Sequence, residues 1–97
     1  MNKEATILTL HPQGKKGVNI LLRRYELTTK ALLDTLSQYS PLSPMDLYEK
    51  AAEQLASLLD GKPLWYAVTV KLDLEARGIL KTVREKGRAK IHAVTPE

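Results

Sequence analysis

The chain contains no cysteine, no phenylalanine, one tryptophan and two histidines. Without cysteine there is no disulfide framework, no thiolate zinc site and no thiol nucleophile, a composition that fits a reducing compartment. His11 and His92 lie near opposite ends, without a carboxylate at ligand spacing, so no metal site is expected. No Ser/His/Asp set can be assembled around them. Asp73 and Glu75, two apart, point to different faces of a helix and make no catalytic pair. The "GKKG" at 14–17 lacks the Gly-Lys-Ser/Thr ending of a phosphate loop. Neither an enzymatic activity nor a cofactor is therefore expected. Long apolar runs are missing too: none approaches the ~20 residues that span a bilayer. The N-terminus shows no charged-then-apolar signal pattern. A soluble, cytoplasmic protein without membrane contact is expected.

What is present suits one small domain. The chain has 97 residues, 43% of them apolar, enough for a single core that Leu, Ile and Val must fill. Charge is unevenly spread around a net +4. Residues 1–40 carry six Lys/Arg against three Asp/Glu, residues 41–78 four against six, and residues 79–97 five against two. Basic ends flank an acidic middle. Such ends attract phosphate, and exposed lysine also serves solubility.

Residues 1–17 read as an arm and loop, and residues 18–95 as the folded domain. "ATILTL" alternates like an extended arm or strand, and "HPQGKKG" after it is a loop. Over residues 19–39, Leu22, Tyr25, Thr29, Leu32, Leu33 and Leu36 make one helical stripe, opposite Arg23, Lys30, Asp34 and Gln38. Ser40-Pro41 ends that helix. In the next segment Ser43 is a good N-cap, Pro44 suits the first helical position and Asp46 the capping-box acid. Leu47, Ala51, Leu55 and Leu58 form its inner face, and Asp60-Gly61 is a natural stop.

The stretch "LWYAVTVKLDLEARGIL", residues 64–80, carries two patterns at once. Tyr66, Val68, Val70, Leu72, Leu74 and Ala76 alternate as in a strand. Trp65, Val68, Leu72, Ala76 and Ile79 fall on one helical arc of roughly 60°. Pro63 suits the first turn of a helix and Gly78 a left-handed C-terminal cap, with Arg77 complementing the dipole. The spacing therefore predicts a helix whose core face runs through Trp65, Leu72 and Ile79. Tyr66, Val70, Asp73, Leu74 and Arg77 are expected on the outer face.

The tail forms two alternating runs, residues 79–84 and 89–94, around a turn at "EKGR" where Gly87 takes a positive φ. A short strand at residues 41–43 is expected to pair with this hairpin. Three helices followed by a basic hairpin make an α+β winged helix.

The segments "WYAVTVKLDLEARGILKTV" and "KGRAKIHAV" resemble the third helix and wing of winged helix-turn-helix domains, and "LSPMDLYEKAAEQL" resembles the second helix. With "GKKG" and "YELTTKALLDTL", the likeness extends over residues 13–94 to a small family of uncharacterised bacterial winged-helix proteins. What the resemblance implies is double-stranded DNA binding, with the third helix in the major groove and the wing along the backbone. The candidate nucleic-acid contacts are Arg77, Lys81, Arg84, Lys86, Arg88 and Lys90, with Lys15, Lys16, Arg23 and Arg24 as further phosphate contacts. The third helix offers only Arg77 among its outer residues and no Asn, Gln or Ser cluster to read base edges. A competing reading is a protein-interaction or homodimerisation module that uses Tyr66, Val70 and Leu74.

Overall fold

The computed structural model describes residues 4–39, 41–59 and 61–94. Ser40 and Asp60, expected to stop the first two helices, lie outside the described residues, as do residues 1–3 and 95–97 at the ends of the expected arm and domain.

The arm is a strand. β1 (Thr6–Leu8) pairs antiparallel with β2 (Asn19–Leu21), with Ile7 opposite Ile20. Residues 19–21, expected to open the first helix, are instead held in the ladder, and Leu22 N–H donates to the Ala5 carbonyl at 2.8 Å. The expected boundary at 17/18 thus falls inside a hairpin. Its loop is closed by Thr9, whose N–H donates to the Val18 carbonyl at 2.9 Å while its Oγ1 accepts from Val18 N–H at 3.0 Å. Gly17 is required there, because a Cβ would stand 1.7 Å from the Thr9 carbonyl oxygen.

α1 spans Leu22–Tyr39 and buries Thr28, Ala31, Leu32, Thr35 and Leu36. Its two buried threonines are satisfied within the helix, Thr28 Oγ1 donating to Arg24 O and Thr35 Oγ1 to Ala31 O, each at 2.7 Å. α2 (Pro44–Leu55) starts as its sequence dictates: Ser43 Oγ accepts from Asp46 N–H, and Pro44 occupies the first turn. Leu47, Ala51 and Leu55 are buried as expected. The helix then stops early in a turn, which exposes Leu58 and buries Leu59 in its place.

α3 (Pro63–Ala76) is a helix, bracketed as its Pro and Gly imply. Gly78 has φ +79°, its N–H reaches Glu75 O at 3.1 Å, and Ile79 N–H reaches Leu74 O at 2.8 Å. These two bonds make a Schellman cap. The helix is turned half a revolution from the expected orientation. Val70 and Leu74, assigned outward, are 0% exposed, whereas Trp65 is 43% exposed and Ile79 37%. Both sides of α3 are apolar, so hydrophobic spacing alone does not choose between them. The buried side carries small Ala67 together with Asp73, whose carboxylate meets Leu10 and Tyr25 there.

The wing follows directly. β3 (Leu80–Glu85) and β4 (Arg88–Ala93) pair antiparallel, with Leu80 and Ile91 facing the helices. Of the strand expected at residues 41–43, Leu42 alone pairs with the hairpin, as an isolated bridge through two backbone bonds with Ile91. Together these elements form a winged-helix-like α+β arrangement. Burying each large aliphatic side chain of its common core stabilises it by roughly 1.5–3 kcal/mol.

The wing turn holds Lys86 at φ 51° and Gly87 at φ 78°, the conformation of a type I′ turn. A lysine is strained there, and asparagine is tolerated. Lys86→Asn is expected to stabilise the fold by about 0.5–1 kcal/mol, read as a higher thermal midpoint; an unchanged or lower midpoint would refute this.

Candidate interaction surface

Asp73 is fully buried, and each of its oxygens is occupied. Arg77 Nε donates to Oδ2 at 2.8 Å and to Oδ1 at 3.0 Å. Leu10 N–H donates to Oδ1 at 2.8 Å, and the Tyr25 hydroxyl donates to Oδ2. Arg77 Nη2 also reaches the Leu8 carbonyl at 3.5 Å. One carboxylate therefore joins α1, α3 and the N-terminal hairpin. Charge-assisted bonds of this kind are about twice as strong as neutral ones. Burial, and then the bond to Asp73, push the Tyr25 phenol up to about 12. The Asp73 bond likewise raises the already basic Arg77 guanidinium.

This latch fixes the hairpin beside the outward side of α3. Between them runs a groove of about 190 Å³ lined by Leu10, His11, Lys16, Val18, Trp65 and Leu72, among others. Leu10 and Val18 are 43% and 41% exposed, comparable to Trp65. The Trp65 ring stands edge-on to Tyr66, with centroids 5.0 Å apart. Tyr66 in turn accepts a hydrogen bond from Arg24 Nη1 at 2.9 Å.

The residues proposed from the sequence are thereby redistributed. Of the partner-surface set, Tyr66 is half-buried beside Trp65, while Val70 and Leu74 belong to the core. Arg77 is a structural clamp: its Nε is bound by Asp73, and its guanidinium leans on the Tyr25 ring. Lys71, the other α3 cation, is nearly buried and paired with Glu75 at 2.5 Å. The wing cations are separated by the strand register. Lys81, Arg88 and Lys90 share one face with Glu85, Arg84 lies on the other, and Lys86 is in the turn. None of the five forms an ion pair among the described residues. Arg23 is paired with Glu4 at 2.7 Å, and Lys15 and Lys16 stand exposed in the hairpin loop.

Leu10 and Val18 were missed as site residues, and Lys16 was assigned only to phosphate contacts. Two signals pointed to them: apolar alternation on both sides of the Gly-containing loop, which is a hairpin signature, and the second apolar side of α3. Among the described residues no group of three His, Cys, Asp or Glu could hold a metal ion. No helix is long and apolar enough to cross a membrane.

Asp73→Ala leaves Arg77 and the Leu10 amide without their acceptor. It is expected to destabilise the protein by about 1–3 kcal/mol in urea unfolding; a loss below about 0.5 kcal/mol would remove Asp73 as the latch. Folding favours the protonated Tyr25 phenol. Its contribution is thus complete below the ordinary value of 10 and lost as pH rises through about 12. Tyr25→Phe is expected to cost about 1–2 kcal/mol at neutral pH, and its deficit relative to wild type should shrink above pH 10. A deficit that stays constant with pH would contradict the link.

Comparison with curated proteins and with solved structures finds no match. A family model described as "Family of unknown function (DUF6958)" matches residues 6–91, a span from the first strand to the middle of the last, and the chain belongs to that family.

Proposed function

We propose that this chain is a winged-helix protein-interaction module whose docking surface is the outward side of α3 together with the N-terminal hairpin. The observation that carries this reading is the chemistry of that side. Where a DNA-reading helix would present cations and amides to a groove, α3 presents Leu64, Trp65, Val68, Thr69 and Leu72. Its cations, Lys71 and Arg77, are both held by acids of the same helix. Exposed aromatic and aliphatic anchors around a pocket are the usual centre of a protein interface.

A second reading has one observation in its favour. Lys81, Arg84, Lys86, Arg88 and Lys90 leave the wing strongly basic, with Glu85 its one acid. Such a hairpin suits phosphate contacts that are salt-dependent and carry no sequence preference.

Two measurements separate the readings. In pull-downs from the native lysate, wild type should retain a stoichiometric partner that Trp65→Glu/Leu72→Glu loses by about tenfold or more, with both proteins equally folded by circular dichroism. An unchanged partner set would overturn the interaction reading. In titrations of a random-sequence duplex at ~50 mM salt, any binding should respond to Arg84→Glu/Arg88→Glu and not to the α3 changes. Sequence-selective binding that is lost on changing α3 would restore the groove-reading role.

A further inference from the structure

We infer that the groove between the N-terminal hairpin and α3 takes an acidic peptide segment, one bulky apolar side chain of which seats on Trp65 and Leu72. This rests on the protein-interaction reading and names the chemistry of the partner.

The floor of the groove is apolar, made by Leu10, Val18, Trp65 and Leu72. A cavity of about 150 Å³ admits a benzene ring, so the ~190 Å³ here holds one aromatic or branched side chain. The rim has one sign of charge. Lys16 lines the groove, and Lys15 precedes it in the exposed loop. Among the described residues no acid lines the groove, and residues 10–18 contain none. The nearest carboxylate, Asp73, lies buried beneath, with both oxygens spent on Arg77, Tyr25 and the Leu10 amide. Lys15 and Lys16 form no ion pair among the described residues. An apolar floor under an uncompensated positive rim is complementary to acids that flank an apolar anchor.

The frame is rigid enough to recognise such a segment. The loop is pinned at Thr9 and Val18, closed tightly at Gly17 and bolted to α3 through Leu10. Little ordering is then needed on binding. A second copy of this chain fits less well, because a two-fold contact through this groove would set its basic rim against itself.

Trp65 is the only tryptophan, so its emission reports occupancy directly. The full-length protein would be titrated with three synthetic peptides: one leucine or phenylalanine flanked by Asp/Glu, the same anchor flanked by Lys, and the acidic peptide with alanine at the anchor. The acidic anchored peptide should give a saturable blue shift, and each of the other two should bind about tenfold or more weakly. Lys15→Glu/Lys16→Glu, which leaves the hairpin's backbone bonds intact, should weaken the acidic peptide by about tenfold and leave the thermal midpoint unchanged. Equal binding of the Lys-flanked peptide, or no effect of the charge reversal, would overturn the inference. So would a shift that depends on protein concentration alone, which marks self-association, or equal binding by a single-stranded oligonucleotide. Failure of the peptides while Trp65→Glu/Leu72→Glu still loses its native partner would sink the acidic chemistry alone. Retention of the partner by that variant would sink the interaction reading itself.

Discussion

The fold turns on one buried carboxylate. A charge without water is tolerated only where every lone pair finds a donor. Asp73 meets that condition by drawing donors from three separate elements: Tyr25 on α1, Arg77 on its own helix, and the backbone of Leu10 beyond β1. The same bonds decide which way α3 faces. A helix apolar on both sides can pack either way, and an acid whose partners lie on one side only makes the two choices unequal. Asp73 therefore acts as a register key for the helix.

Much of the architecture was legible in the residues. The Ser43-Pro44 start, the Gly78 cap and the Gly87 turn all rest on local stereochemistry, and local stereochemistry is written locally. The candidate site was not legible in the same way. The orientation of α3 depends on Asp73 meeting Leu10 and Tyr25, 63 and 48 positions away. No periodicity encodes such contacts. The consequence was an inversion: Trp65 and Leu72 were assigned to the core and Val70 and Leu74 to the surface. Asp73 itself was set aside as a catalytic partner of Glu75 and placed on the outer face. Its position among apolar neighbours was the one sequence clue that its side of the helix is the covered one.

The surface that results divides labour by position. Mobile charge collects on the wing, at the C-terminal end, where strand register spreads it over both faces. Apolar anchors collect at α3, under a hairpin that adds two lysines to the rim. In a helix-turn-helix reader, one helix supplies both base contacts and orientation. Here the corresponding helix has given Lys71, Asp73, Glu75 and Arg77 to internal bonds, and what it turns outward is apolar.

The span between Leu10 and Asp73 also sets an order of events. At ~5–20 residues per second, synthesis delivers Asp73 roughly 3–13 s after Leu10. Throughout that interval the hairpin has its own ladder and its junction with α1 but no tie to α3, and two short strands alone are marginal in water. The helices and wing make their contacts over shorter loops, which close at lower entropic cost. The tie between hairpin and α3 thus waits for Asp73, and the groove, which lies between those two elements, exists only once it has formed.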